Sequence, residues 1–420
     1  MKSSDRFAIA IDLGTTTIAA SLVDRVSGER LAALSSLNPQ RCFGSDLVSR
    51  LAAAVRSEAD AASLQRLVSE ELEKLCAELP AAAGLDSVDV GLVAIAGNPA
   101  MEHLLLGLPV RSLAYPPHRP LFAEGKMMSS ISLGWSDDLP VYLFPLPGGF
   151  VGGDTVAFVH GVPMTMPKLA SPRIFLDLGT NGEIAIWDGQ RYFATSAAAG
   201  PAFEGGNLAC GMAALPGAIA GVALEGERLR LTVLGGGAPA GICGSGLLDL
   251  LSILLETGVL DRTGRILSRR EIDSNLANRV EEIDGVQTFV VYRDAGHLIY
   301  LSQEDVRQAQ LAKGALRAGM EVLLAKSCIG REGVEEVVLT GSFGAVLTPS
   351  ALKNVGILPE EMVKITRFVR EGALAGVEKA LLEQDGIAQV ERLGASMKVI
   401  PLSGTPAFEK SFLEHINFPG

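Results

Sequence analysis

No run of 18 apolar residues occurs in the chain, which excludes a membrane-spanning helix by length. Clustered Lys and Arg are also missing, and a net charge of −12 is spread along the chain rather than gathered in tails. That argues against a nucleic-acid surface, because neutralising phosphates needs grouped cations. It reads instead as a solvated acidic surface. Cysteine is sparse and scattered, at Cys42, Cys76, Cys210, Cys243 and Cys328, with no C-x-x-C pair. The spacing argues against an intrinsic zinc site or iron–sulfur cluster and suits reduced, mostly buried thiols. The opening MKSSDRFAIAIDLG enters a patterned strand at once and lacks the shape of a signal peptide, so the cytoplasm is the expected location. G-x-x-x-x-G-K-[ST] does not occur, so this is not a P-loop protein. Aromatics make up only 5% of a chain with 48% apolar and 20% charged residues, a soluble globular composition. A length of 420 residues implies two or three domains.

What the chain does have is a repeat. Around Asp12 it reads I-A-I-D-L-G-T-T-T-I-A, and around Asp177 it reads I-F-L-D-L-G-T-N-G-E-I-A. Each copy is an apolar strand, then Asp-Leu-Gly-Thr, then a second strand, with one extra residue in the later turn. Asp188-Gly189 ends the second arm, and a third strand is expected over 190–195. The first copy turns back through RVSGERLAAL, so each copy opens a β-meander. Helical spacing follows at 45–79 and again at 302–330, where Ser302 and Asp305 match a capping pattern. Strands end in glycine turns at VDVGLVAIAGN and VEEVVLTGSFG. Strand and helix thus alternate in each half, which predicts an α/β fold made of a duplicated domain with a ligand cleft. Pro and small residues accumulate at 160–172, so the halves are taken as residues 1–163 and 164–420.

The repeated turn has a chemical use. Gly14, Gly179 and Gly182 let the backbone approach a ligand. Exposed N–H groups there can point at phosphate oxygens, and Thr15, Thr16, Thr17, Thr180 and Asn181 add side-chain donors. Asp12 and Asp177 supply hard carboxylate oxygens that suit Mg²⁺. One such turn is an ordinary hairpin; two in matching context form the two jaws of a Mg-phosphate clamp. CGSGLLDL starts an apolar helix at Gly244 and Ser245. Its first N–H groups could face an anion, and close packing on Gly244 and Gly246 is the other reading.

These pieces, in this order, resemble the acetate and sugar kinase, heat-shock chaperone and actin superfamily. The resemblance implies a duplicated ribonuclease H-like, actin-like ATPase fold of two lobes around a nucleotide. It makes Asp12–Thr17 and Asp177–Glu183 the phosphate motifs, and VVLTGSFGAVL the adenosine motif, with Gly341, Ser342 and Gly344 beside the nucleoside. LPGGFVGGDTVAFVH and TPSALKNVGILP correspond to the connecting segments. NPQRCFGSDLVSRL, GNPAMEHLLLGL, LAYPPHRP, SAAAGPAFEGGNLACGM, GICGSGLLDLL and PLSGTPAFEKSFLEHINFP are similar to the large C-terminal domain of the reductive activators of corrinoid proteins. That likeness runs from Phe7 to Pro419.

The resemblance implies ATP and Mg²⁺ as ligands, a homodimer, and a corrinoid (cobalamin) methyl-transfer protein as partner, whose Co(II) is reduced to Co(I). With no cysteine set for a cluster, a separate ferredoxin or reductase is expected to bring the electron. Mg-ATP is expected to close the two halves onto the partner and change the cobalt's axial ligation. Asp12 and Asp177 are assigned to the metal, and Asp177 or Glu183 to the attacking water; Glu183 also reads as a solvated strand residue. The 195–212 loop is expected near the nucleotide or the corrin, with Glu204 at the nucleotide or at a helix end. Ser196 faces the corrinoid or bonds loop backbone. His103 reads as a packing histidine rather than a metal ligand. Two other functions share the clamp: a small-molecule kinase, which needs a positioned base, and a non-redox ATP-gated binding module for a corrinoid protein.

Overall fold

The computed structural model describes residues 6–86, 89–163, 171–341, 343 and 347–419. Most of the expected 160–172 linker, together with Ser342 and Gly344, lies outside them. The first hairpin is β1 (Phe7–Leu13) and β2 (Thr17–Asp24), and β3 (Glu29–Leu37) completes an antiparallel meander. β4 (Val90–Gly97) then runs parallel to β1 on its free side. β5 (Lys126–Ser129) and β6 (Pro140–Leu143) follow, giving the order β3-β2-β1-β4-β6-β5.

The pattern of β1 explains its place. Ile9, Ile11 and Leu13 enter one hydrophobic core, so Ala8, Ala10 and Asp12 share the opposite face. The expected helical stretch is two helices, α1 (Leu47–Arg56) and α2 (Glu58–Ala82). They break at Ser57, whose extended backbone and hydroxyl cap α2 through the Asp60 N–H. α2 lays Leu64, Val68, Leu72, Leu75 and Leu79 on the sheet, each burial stabilising by about 2 kcal/mol. α3 (Pro99–Leu105), α4 (Arg111–Ala114) and α5 (Gly153–Gly161) follow. His103 on α3 is fully buried and stacked on Phe122. Its Nδ1–H donates to Pro99 O at 2.6 Å, and its Nε2 accepts from Leu121 N–H at 2.9 Å. Both nitrogens are used in the neutral ring, so the packing reading holds, and burial pushes its pKa down to about 4.

The second hairpin opens β7 (Arg173–Leu178), β8 (Gly182–Trp187) and β9 (Tyr192–Ala197), joined by short turns. Two small sheets are inserted. One is β10 (Ala218–Glu225), β11 (Arg228–Val233) and β12 (Gly241–Ile242), in the order β11-β10-β12. α6 (Gly244–Glu256) leads to the other, β13 (Val280–Ile283), β14 (Val286–Arg293) and β15 (Leu298–Ser302). α7 (Gln303–Ser327) starts at the expected Ser302–Asp305 capping box. β16 (Glu336–Thr340) then pairs in parallel with β7. After α8 (Pro349–Asn354) and α9 (Glu360–Val363), β17 (Thr366–Phe368) pairs in parallel with β16. α10 (Gly372–Leu382), α11 (Gly386–Ser396), β18 (Met397–Val399) and α12 (Pro406–His415) end the chain.

The second large sheet has the order β17-β16-β7-β8-β9-β18. Apart from the edge strands β5 and β18, both six-stranded sheets share one plan: third, second, first, fourth, fifth. Repetition in the words is therefore repetition of a ribonuclease H-like sheet, as the resemblance implied. The chain divides into two compact units. One comprises Met1–Ser171, Ala185–Ser196 and Arg370–Pro401; the other comprises Pro172–Ile184, Ala197–Val369 and Leu402–Gly420. Among the described residues no helix is long and apolar enough to cross a membrane.

Candidate functional site

In the first unit the site grows from the ends of β1 and β4. Asp12 pairs across to Ala19 on β2 and to Ala96 on β4, so it stands one step before the hairpin turn. A Cβ on Gly14 would fall 2.3 Å from Thr17 O; only glycine closes this turn. Two buried asparagines hold the turn from outside. Asn38 donates through Nδ2 to Gly14 O at 2.9 Å, and its own N–H donates to Thr16 O at 2.9 Å. Asn98 Nδ2 donates to Thr15 Oγ1 at 3.1 Å. Each also caps a helical turn whose first residue is proline, and each carbonyl oxygen accepts a backbone N–H. A single asparagine thus ties a helix start to the hairpin. Thr15 is buried, so its hydroxyl acts within this frame.

α5 begins against the same corner. A Cβ on Gly152 would fall 2.4 Å from Gly97 O, and one on Gly153 would fall 2.8 Å from Glu102 Oε1. This brings Asp154 beside Glu102. Burial pushes both carboxyls up, Glu102 well above the usual range, and the Asp154 charge adds to that push. Glu102 Oε1 accepts from Gly97 N–H at 3.2 Å, while its Oε2 has no hydrogen-bond partner among the described residues. The Asp154 carboxylate accepts from the N–H and the hydroxyl of Thr155.

In the second unit Asp177 pairs with Thr340 on β16, so the second hairpin and the glycine turn after β16 leave the sheet together. Gly341 has φ +149°, and a Cβ there would fall 2.7 Å from Leu178 O. The Thr180 hydroxyl donates to Glu204, which lies at the end of a 3₁₀ turn over Pro201–Glu204. Glu204 therefore belongs to this hairpin. Gly182 has a steric role: a Cβ would fall 1.8 Å from Leu316 Cδ2 on α7. Gly182 thus faces α7, and Glu183, next in the strand and 9% exposed, takes the opposite face. Gly179 and Asn181 form the turn itself, with Gly179 N–H donating to Asn181 O.

Gly244 and Ser245 are brought to the same corner by packing. A Cβ on Gly244 would fall 1.7 Å from Phe203 O. Ser245 is 2% exposed; its N–H and its hydroxyl both donate to Phe343 O, at 3.2 and 2.7 Å. Ser245 therefore fixes the loop that carries Gly341. Ser196 stands in strand β9, not in the loop expected over 195–212. The rest of that segment is tied down as well. Ala209 N–H donates to Asp305, Met212 N–H to Ile242 O, and Ile242 N–H to Cys210 O.

Each hairpin sets a partly buried aspartate just before a glycine turn, and carboxylate oxygens beside turn N–H groups suit Mg²⁺ and phosphates. Residues 171–420 match the family described as the C-terminal domain of RACo, the ASKHA domain, and residues 7–166 match the RACo middle region. The chain belongs to the RACo family. A solved reductive activator for corrinoid, iron–sulfur protein superposes with a TM-score of 0.89 at 30% identity, over 100% of this chain and 67% of that one. Corrinoid activation enzyme RamQ of Eubacterium limosum is 31% identical over 430 residues, covering 99% of this chain and 71% of that protein. The [Co(II) methylated amine-specific corrinoid protein] reductase of Methanosarcina barkeri is 24% identical, covering 91% of this chain and 71% of that protein. The ASKHA domain of the RACo family is an ATP-binding domain, and the actin-like ATPase fold expected from the sequence is the one found.

Asn38, Asn98, Glu102 and Asp154 were not among the site residues read from the sequence. Their signals were present: two Asn-Pro pairs, which mark a cap followed by a first-turn proline, and Gly-Gly-Asp at the start of α5. Asn98→Ala is expected to lose the cap, worth about 1 kcal/mol, and the buried bond to Thr15, worth about 1 kcal/mol more. Urea unfolding measures the sum; a loss near zero would remove Asn98 from the frame of the first hairpin.

Proposed function

We propose that the chain couples Mg-ATP binding and hydrolysis to the reduction of a corrinoid protein's Co(II) to Co(I). The protein is an ATP-dependent activator of a corrinoid protein, as its family membership supports. The observation that carries the site is the repeated Asp-Leu-Gly-Thr hairpin, each copy leaving a ribonuclease H-like sheet beside a glycine turn. Asp12 and Asp177 organise Mg²⁺ and its waters. Gly14, Thr15, Thr16 and Thr17, and Gly179, Thr180 and Asn181, hold phosphates. Gly341, Ser342 and Gly344 flank the adenosine, with Ser245 and Gly244 setting the loop behind them. Asp177 or Glu183 positions the attacking water, and Glu204 orients Thr180. When bound, Mg²⁺ neutralises phosphate charge and polarises the transferred group. The boundary at residues 163 and 164 assigns one hairpin to each half, and the two family matches, ending at 166 and starting at 171, support it.

ATP influences the cobalt only by binding two protein states unequally. One state engages the corrinoid protein and alters the axial ligation; hydrolysis releases it. One electron passes from an external donor to Co(II), and the donor is oxidised. Cys76 and Cys243 are buried, Cys42 and Cys328 exposed, and no metal-holding group of His, Cys, Asp and Glu occurs among the described residues. The donor in this reading is a separate ferredoxin or reductase. The reading places the protein in the cytoplasm as a homodimer. Mixing the protein, Mg-ATP and candidate corrinoid proteins should give the Co(I) absorption spectrum only when a low-potential reductant is added. Repeated Co(II) to Co(I) cycles without an external electron source would refute the separate donor.

A further inference from the structure

The second unit holds a cavity of about 800 Å³ that the nucleotide reading does not use. It lies at the far end of α6. That helix starts at Gly244 against the Phe343 loop and ends at Glu256 on the cavity, 13 residues or about 20 Å later. Leu255, Leu260, Leu358 and Phe418 make its walls largely apolar. From α7, Lys313 and Arg317 line it one turn apart, on the same helix face.

Both cations are buried, Lys313 at 1% and Arg317 at 6% exposure. Lys313 Nζ donates to His415 O at 2.6 Å and to Asn417 O, and it lies 5.3 Å from the centre of the Phe418 ring. Carbonyls and a ring face stabilise the ammonium without neutralising it. The Arg317 guanidinium donates through Nε to Glu321 Oε1 at 2.7 Å, and among the described residues its terminal N–H groups make no hydrogen bond. Glu321 is itself shared, since Arg331 also pairs with it at 2.7 Å. One carboxylate thus bonds two guanidiniums, and Glu361 adds its charge near Arg317. Burial first, and then the charge of Arg317, push the Lys313 amine down to about 7.

Acidic residues at the cavity are already engaged. Glu256 accepts from Asn354, Asp261 from Arg265 and Thr263, and Glu360 pairs with Lys353 at 3.0 Å. Glu414 is 3.9 Å from Lys410. A guanidinium that is 6% exposed, lines the cavity and has unbonded terminal N–H groups can give them to a ligand in place of water. A guanidinium presents a planar fork that matches a carboxylate or phosphate. The volume falls within the range of small-molecule sites, about 300–1,000 Å³, and the apolar walls ask for more than a bare ion.

We infer that this cavity binds a small organic oxyanion, a carboxylate or phosphate monoester on an apolar body, anchored by Arg317 with Lys313 as second cation. The probes are benzoate and phenyl phosphate, titrated calorimetrically into the full chain saturated with a non-hydrolysable ATP analogue; benzyl alcohol is the neutral control. At least one anion is expected to bind and the alcohol not to. The stronger anion identifies the head group. Arg317→Lys keeps the charge but loses the fork, and Arg317→Gln loses both. Each should bind about tenfold more weakly or worse, because each loses charge-assisted hydrogen bonds to the head group. No binding of either anion to the wild type, equal binding of benzyl alcohol, or unchanged affinity in both folded variants would overturn the proposal. Should the variants not fold, wild-type crystals soaked in 4-bromobenzoate decide. Bromine density beside Arg317 supports the site, and density absent or only elsewhere rejects it.

Discussion

Asp177→Asn is expected to slow ATP hydrolysis by about 10²–10³-fold, and Asp12→Asn to do the same, with the protein still folded. Each substitution keeps the shape of the side chain and removes one negative charge from oxygens that organise Mg²⁺. Losing one preorganised electrostatic contact at a reacting centre typically costs about 3–4 kcal/mol of transition-state stabilisation. Both positions are partly buried at strand ends, in register with Ala96 on β4 and Thr340 on β16, and the amide keeps the carboxylate's shape there. Phosphate release measured under saturating Mg-ATP is the readout. Normal turnover in both variants would mean that the two Asp-Leu-Gly-Thr turns are hairpins and nothing more.

Gly244→Ala should destabilise the second unit by about 3 kcal/mol, the upper end for overpacking. The added methyl group would lie 1.7 Å from Phe203 O, which is backbone and cannot rotate away. Phe203 also precedes Glu204, the partner of Thr180, so any shift reaches the second hairpin. A fall in melting temperature of several degrees is expected. A variant with wild-type stability and weakened ATP affinity would instead show that Gly244 serves the ligand rather than the packing.

Much of this was legible because the determining signals were local and repeated. Asp-Leu-Gly-Thr twice, followed by a turn and a third strand, is enough to expect two meanders. The order of strands around them confirms a duplicated sheet. Ser302 and Asp305 announced α7 because a capping box is written within four residues. Ser57 was hidden, since a serine between two amphipathic stretches reads as helix until its extended backbone is seen. Asn38 and Asn98 were missed for another reason. Their caps are local, but their bonds to Gly14 and Thr15 span 24 and 83 residues. The 195–212 segment reads as a loop. Long-range bonds to Asp305 and Ile242 order it, and no composition reveals such partners. Lys313 and Arg317 sit in an ordinary-looking helix, and only the cavity beside them sets them apart.

ATP acts through its coupling to cobalt reduction. The most direct measurement is the rate of Co(I) formation on a corrinoid protein, followed by absorbance with excess low-potential reductant. Wild type should form Co(I) rapidly with Mg-ATP and slowly without nucleotide, and Asp177→Asn should match the nucleotide-free rate. Equal rates with and without Mg-ATP, or an undiminished rate in Asp177→Asn, would contradict it.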